Sequence, residues 1–411
     1  DDGFIRFGGA EIKPGVLGTN PYEYMMSSFK EVNFNTLNTS LALNQDLSVI
    51  TKGLSLKALV NFKNWSETSY TRSIKSNIYK VKDGSYNPET GEYDYQLLQT
   101  GDQFLSQSGI SRNSDQTFYF DARLDWKRSF GDHNLTAMAM YMMREYRSDV
   151  LPNRNQGYSG RVTYDYASKY LVEFNFGYNG SERLAAGHRF EFFPAVSAGW
   201  VASSEKFWEP ISKYINHFKI RGSYGLVGSD AFASGAPHFL YQNNIGIGSA
   251  PNFWTGLPTS EISKKGPGFY VLAVQDAGWE HVKKFDIGFD MMLFNQLNIT
   301  FDYFHDKRER ILMSRASWPS MLGYWGSKPW SNIGEVENQG FELSLNWTKQ
   351  FGKDLTLDLR GNFTYNQNEY KYVDEPSYPY VWQTNTGKPL NTVKGYIAEG
   401  LFTSEEEIAN S

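Results

Sequence analysis

Cysteine is absent from the 411 residues, which removes disulfide scaffolds, thiolate catalysis and Cys-ligated zinc together. Charge of one sign is also lacking. The chain carries 40 Lys+Arg against 45 Asp+Glu, a net charge of −5, and no Lys/Arg block, so it has no nucleic-acid footprint. No run of about 18 apolar residues occurs, and the most apolar stretch, 135–143, is too short for a transmembrane helix. The start, Asp1-Asp2-Gly3-Phe4-Ile5-Arg6, lacks the basic head, apolar middle and cleavage site of a signal peptide. It reads as a chain whose signal has been removed or as an internal piece of a longer protein. What is plentiful is aromatic: 27 Tyr, 29 Phe and 11 Trp make up 16% of the residues. The length exceeds one ordinary domain unless that domain is a large β architecture.

Alternation of apolar and polar residues recurs from end to end, the mark of strands with one face of each kind. Leu297, Ile299, Phe301 and Tyr303 alternate with Asn298, Thr300 and Asp302. Phe285, Ile287, Phe289 and Met291 alternate with Lys284, Asp286, Gly288 and Asp290. The same beat runs through Phe341–Trp347, Leu355–Tyr365, 118–126, 158–166 and 218–226. About twelve such strands are expected, most of them roughly twice the usual length. The connections alternate short and long. Tight turns at 51–53, 130–133, 168–169, 295–296 and 352–353 separate longer stretches at 67–114, 148–156, 182–188, 228–282, 309–334 and 370–390, with one helical turn in 203–216. In an up-and-down sheet the short turns fall on one rim and the long loops on the other. Long strands with aromatic ends and this asymmetry predict an all-β fold, a transmembrane antiparallel β-barrel. Strands cross lipid only as a closed barrel, because every backbone group there needs a partner. A large soluble β-sandwich is the competing architecture, with shorter strands and more even turns.

No enzyme motif is present. His133, His188, His217, His238, His281 and His305 are scattered, so no metal site is indicated. Gly157-Tyr158-Ser159-Gly160 falls short of a nucleophile elbow, and Gly246-Ile247-Gly248 lacks the third glycine and following helix of a dinucleotide loop. No catalytic residue and no cofactor are expected.

The segment Gly157-Tyr158-Ser159-Gly160-Arg161-Val162-Thr163-Tyr164-Asp165-Tyr166, followed by Lys169-Tyr170-Leu171-Val172-Glu173-Phe174-Asn175, resembles a signature hairpin of SusC-like TonB-dependent transporters of Bacteroidetes outer membranes. The likeness continues through Phe192-Phe193-Pro194-Ala195-Val196-Ser197-Ala198-Gly199-Trp200 and Lys219-Ile220-Arg221-Gly222-Ser223-Tyr224-Gly225. It runs on to Asn332-Ile333-Gly334-Glu335-Val336-Glu337-Asn338-Gln339-Gly340-Phe341-Glu342-Leu343 and Gly400-Leu401-Phe402, collinear over 30–405. The resemblance implies active import, across the outer membrane of a Gram-negative cell, of an oligosaccharide or peptide. It implies a SusD-like surface lipoprotein as partner and energy from the TonB-ExbB-ExbD complex. The family's barrel has about 22 strands, so 1–411 is expected to be a partial barrel, without the plug domain, the TonB box and the closing C-terminal strands. A siderophore or cobalamin receptor, or a surface glycan-binding β protein that transports nothing, are the alternatives.

Two groups of residues are candidates for the path of a solute. Asp286, Asp290, Asp302 and Arg360 fall on the polar face and are expected to line the lumen, chiefly as a hydrated mixed-sign wall. In the long loops, Trp318, Tyr324, Trp325 and Trp330 cluster in one loop and Trp254 lies in another. Flat rings stack on sugar C–H faces, which makes these five the candidate substrate contacts. Girdle residues or loop packing account for loop aromatics equally well.

Overall fold

The computed structural model describes residues 7–13, 16–18, 20–232, 235–248, 252–255, 262–319, 321, 328–398 and 400–410. Twelve long strands dominate: β1 Ser28–Asp46, β2 Leu54–Ser73, β3 Ser111–Phe130, β4 His133–Arg147, β5 Asn153–Tyr166 and β6 Tyr170–Ser181, then β7 Phe190–Val201, β8 Ile215–Ser229, β9 Glu280–Leu293, β10 Leu297–Ser314, β11 Trp330–Phe351 and β12 Leu355–Tyr372. Hydrogen bonding follows chain order from β1 to β12 without a crossover, an up-and-down meander. The shortest of the twelve has 12 residues and the longest 22. At about 3.3 Å per residue, even 12 residues are long enough to cross a bilayer core while tilted.

The chain sorts into two compact units. The first comprises residues 1–41, 60–119 and 145–152. Here the helix α1, Pro21–Met26, starts with a proline and is capped by Asn20, whose side chain accepts from the backbone N–H groups of Tyr22 and Glu23. The Tyr70 hydroxyl donates to Glu31 at 2.5 Å, and Ile78–Val81 pairs antiparallel with Tyr95–Gln99 and parallel with Phe7–Gly8. The stretch expected to be one loop over 67–114 thus contains a hairpin and the last residues of β2.

The second unit comprises residues 42–59, 120–144 and 153–411. Two hairpin turns set its register. At Ala167 and Ser168 φ is 52° and 56°, and at Phe294 and Asn295 it is 55° and 54°. Each pair is closed by a backbone hydrogen bond, Lys169 N to Tyr166 O and Gln296 N to Leu293 O, both 2.9 Å. These are left-handed two-residue turns whose twist suits a hairpin. Both lie one residue before the positions expected from the sequence, because Ala167 and Phe294 lack the glycine or asparagine signature of such turns. The expected helical turn after β7 is two 3-10 turns, Ala202–Ser204 and Lys206–Trp208.

Register carries the apolar residues onto one face. Tyr166 stands opposite Tyr170, and from there the row runs through Trp200, Ile220, Phe289, Phe301, Leu343 and Phe363, one per strand from β5 to β12. The next row holds Tyr164, Val172, Ala198, Gly222, Ile287, Tyr303, Phe341 and Tyr365. Ile299, Leu357 and Leu359 share this face, whereas Asp302, Asn346 and Asp358 occupy the other, as the alternation predicts. The apolar rows are exposed, with Val172 at 47% and Phe363 at 56%. A continuous exposed aromatic face of this extent needs lipid against it.

Packing of the ordinary kind is found elsewhere. Among the described residues the largest fully buried side chains are Leu184, Leu240 and Leu312. They meet Phe193, Ala277 and Trp279 where β6, β9 and β10 emerge into the longer connections.

Candidate functional site

On the polar face one arginine gathers three carboxylates. Arg221 of β8 lies opposite Gly288 of β9, and Gly288 lies opposite Asp302 of β10. Glycine at the middle position leaves the gap through which the guanidinium reaches two strands away. A Cβ there would come within 2.1 Å of Asp302 Oδ1 and 2.4 Å of the Phe301 carbonyl oxygen. Through the gap, Arg221 Nη2 donates to Asp302 Oδ2 at 2.8 Å, and Nη1 makes an ion-pair contact with Oδ1 at 2.7 Å. The same guanidinium reaches Asp290 at 3.3 Å through Nε and Asp286 at 3.5 Å through Nη1. Arg221 is thus the shared partner of three carboxylates, with Lys219 opposite Asp290 on the same face.

The neighbouring wall mixes charged and hydroxyl groups with apolar residues such as Leu171 and Val172. A groove of about 400 Å³ runs past Asp165, Glu173, Ser197, Lys219, Arg221 and Asp286. Arg161 pairs with Glu173 at 2.5 Å, and Asn175 donates to the same carboxylate at 2.6 Å. Farther along the meander, Arg123 and Lys57 both hold Asp125, at 3.0 and 3.3 Å. Such a surface of fixed, mutually paired charges holds water and resists collapse. It contains no group of three or more His, Cys, Asp or Glu arranged to hold a metal ion among the described residues.

Three of the four polar-face residues singled out from the sequence, Asp286, Asp290 and Asp302, therefore stand together around one cation. The fourth, Arg360, sits apart. It lies on β12 opposite Asn346, exposed and with no ion pair among the described residues. The register and Gly288 together bring Arg221, and not Arg360, to the aspartates.

The loop aromatics are dispersed. Trp330, at the start of β11, is half-buried and packs against the cluster of Leu184, Leu240 and Leu312. Trp279, which the sequence gives no reason to separate from the other loop tryptophans, lies inside that cluster. Its indole N–H donates to Arg189 O at 2.9 Å, and its ring meets Phe193 edge-on at 5.5 Å. Trp318 follows a clasp in which Asp374 accepts from the Ser317 N–H at 2.9 Å and the Ser317 hydroxyl at 2.8 Å, with Arg315 Nε at 3.4 Å. Burial opposes ionisation of Asp374, yet the Ser317 hydrogen bonds and the Arg315 charge together hold its carboxyl below the usual carboxylate range. Tyr324 and Trp325 lie outside the described residues, and of Trp254 only the backbone, paired with Ser263, is described.

The start of β9 and the end of β10, where the longer connections leave the sheet, are fastened by a second constellation. Arg310, at φ 57° in a register irregularity, lies 3.2 Å from His281 Nε2 and 3.5 Å from Glu191, while His281 and Glu191 are 2.7 Å apart. Asn332 fixes this bend by donating to Arg310 O and Gly278 O at 2.8 and 3.1 Å and accepting from Gly278 N at 3.0 Å. The arrangement is a brace, with all three side chains in contact with one another.

A long-stranded meander with a lipid-facing aromatic side, a charged side and its packed core among the outer connections defines an outer-membrane β-barrel. The match is specific: residues 4–403 fit the model of the TonB dependent receptor-like β-barrel family, and the chain belongs to it. This is a family of receptors of the outer membrane rather than of enzymes. The chain is similar to TonB-dependent receptor P39 of Formosa agariphila, 24% identical over 98% of this chain and 38% of the relative. It is likewise similar to TonB-dependent receptor SusC of Bacteroides thetaiotaomicron, 24% identical over 75% of this chain and 28% of the relative. Among solved structures, that of the RagAB peptide transporter superposes with a TM-score of 0.65 at 17% identity, over 86% of this chain and 38% of that one. The chain thus spans less than two-fifths of the length of the relatives it matches.

Proposed function

We propose that residues 1–411 form part of the barrel wall of a SusC-like TonB-dependent importer. The cargo is an oligosaccharide, the partner a SusD-like surface lipoprotein, and the energy source the TonB-ExbB-ExbD complex acting on a plug domain. The observation that carries this reading is the collinear family match over 4–403, extending to SusC of Bacteroides thetaiotaomicron. The two-faced register supports it physically. Ion pairs such as Arg221 with Asp302 keep the charged face hydrated and in place, as a wall around a moving solute requires. No bond is made or broken by such a wall. The barrel supplies passage and the loops supply selection, with Trp318, Tyr324, Trp325, Trp330 and Trp254 the loop aromatics proposed to meet the solute.

A peptide cargo is the second reading, favoured by the fold shared with the RagAB peptide transporter. The two separate in one experiment. A strain lacking the full-length gene is grown on single oligosaccharides and on defined peptides, and again after the gene is restored. Loss of growth on one class of saccharide alone, rescued by the gene, is the expected result. Loss on peptides alone selects the second reading, and unchanged growth with full uptake of both rejects importer function for these solutes.

A further inference from the structure

The outward face of the sheet shows where lipid begins and ends. On β9 the positions that share the apolar rows are Phe285, Ile287, Phe289, Met291 and Leu293, and the next one toward the long connection is Lys283. Lys283 stands in a row with Lys307, Glu337 and Glu369 of the three following strands. Ion pairs knit this row to its neighbours: Glu309 is 2.6 Å from both Lys283 and Lys307, and Glu337 is 2.6 Å from His305 and 2.8 Å from Lys371. A charged network on a face that is otherwise apolar marks one edge of the hydrocarbon. From Phe285 to Leu293 is about 27 Å of strand, or about 20 Å of height at the usual tilt. The apolar band of such barrels is about 25 Å tall, so its other edge falls just past Leu293, at the turn Phe294–Asn295.

The connection between β7 and β8, residues 202–214, lies at that second edge. Phe294 N donates to Tyr214 O at 2.9 Å and Asn295 N to the Asn216 side chain at 2.5 Å, so connection and turn adjoin. Its rings extend the outward rows: Trp208 stacks on Phe218 at 5.3 Å and 8°, Phe218 lies 6.0 Å from Phe289, and Phe207 lies 6.2 Å from Trp200. The Trp208 indole N–H donates to Ile215 O at 3.0 Å, which fixes the connection against the sheet. Past those contacts Phe207 is still 62% exposed, Tyr214 56% and Phe294 57%. A meander gains further strands only at its edges, and whatever fills a barrel lies on its polar face. The outward side of β7 and β8, which lie inside the meander between β6 and β9, is therefore bordered by lipid. The charges narrow which lipid. Glu205 is held by Lys169 at 3.0 Å, whereas Lys206 and Lys213, each beside one of the exposed rings, and Glu209 are exposed with no ion pair among the described residues. Rings at the hydrocarbon boundary with ammonium groups at headgroup level are the makings of an interfacial segment. Two cations against one anion leave a net positive charge, which an uncompensated lipid phosphate answers and a zwitterionic headgroup does not.

We propose that the connection 202–214 is a foot that docks on anionic phospholipid of the leaflet at the short-turn rim, with Lys206 and Lys213 meeting the lipid phosphate. Only the outer-membrane barrel is needed for this, and no particular cargo, so its failure leaves the importer reading untouched. The test uses the full-length protein in vesicles, with Ile211→Cys labelled by a bimane fluorophore and the protein labelled without that substitution as the blank. Phosphatidylcholine and phosphatidylglycerol brominated on their acyl chains serve as quenchers. Quenching places residue 211 at the membrane, and competition between the two lipids at low salt gives their relative affinity there. The expected result is quenching with phosphatidylglycerol favoured about fivefold, the effect of one net positive charge near the surface. Lys206→Gln combined with Lys213→Gln abolishes or reverses that preference, and Glu209→Gln raises it about another fivefold. The heat-dependent mobility shift of folded barrels checks that each variant is assembled. A label that neither lipid quenches overturns the docking. Quenching without a headgroup preference, or with one that the lysine and glutamate substitutions leave unchanged, overturns the assignment of an anionic phosphate to Lys206 and Lys213.

Discussion

Replacing Gly288 by alanine tests the polar face at the point where its geometry is most demanding. The added methyl would sit 2.1 Å from Asp302 Oδ1 and 2.4 Å from the Phe301 carbonyl oxygen, and the second of these atoms belongs to the backbone of a neighbouring strand. Side-chain rotation relieves the first contact by breaking the Arg221–Asp302 ion pair; only displacement of β10 relieves the second. Overpacking of this kind costs about 1–3 kcal/mol. Loss of the pair adds less than about 1 kcal/mol, because the Arg221 side chain is 31% exposed and water screens it. The sum expected is about 1–4 kcal/mol. Gly222→Ala is the matched control, since the nearest atom to its added methyl is Asp286 O at 3.5 Å, an ordinary contact. Urea unfolding of the full-length protein in lipid vesicles, followed by the heat-dependent mobility shift of folded barrels, measures both. Equal stability of the two variants would refute the argument that Gly288 is the gap through which Arg221 reaches Asp302.

Three further outcomes follow from the same structure. Ile299→Arg, on the lipid face, is expected to cost about 2–4 kcal/mol in the same unfolding assay, whereas Thr300→Arg on the opposite face is mild; equal costs would refute the register of β10. Leu312→Ala empties a fully buried site among the outer connections, so a loss of about 2–5 kcal/mol is expected, and a change under about 1 kcal/mol would show that the cluster is not a packed core. Asp374 has a depressed carboxyl pKa, so its clasp on Ser317 contributes fully above the usual unfolded value of about 3.9 and is lost as the pH falls through the lower folded value. Protease nicking of 315–319 is therefore expected to rise below about pH 4, and Asp374→Asn to raise it already at neutral pH; nicking insensitive to both would exclude the clasp.

The strands were legible because alternation is a local property. Ile299, Phe301 and Leu343 announce their face two residues at a time, and the sheet assembles them in chain order. Hairpin turns were legible to within one residue, the error arising where Ala167 and Phe294 adopt left-handed conformations usually signalled by other residues. Which charges pair was not legible. Arg221 and Arg360 look alike in sequence, and only a side-chain-free position on the strand between distinguishes the arginine that reaches three aspartates. The packed cluster was hidden for another reason: Leu184 follows β6, Leu240 and Trp279 lie far apart in the connection between β8 and β9, and Leu312 lies near the end of β10, so they carry no shared period.

The separation of the packed cluster from the lipid-facing rows bears on how such a sequence can drift. Hydrocarbon chains are fluid and mould themselves to whatever profile a strand presents, so at Ile287, Phe301 or Phe363 greasiness matters far more than outline. Around Leu184, Leu240 and Leu312 the neighbours are solid, and a change of a single methylene there leaves a void or a clash. Two tempos of substitution are therefore built into one sheet: a permissive one where the neighbour flows, and a strict one where the connections lock together above it.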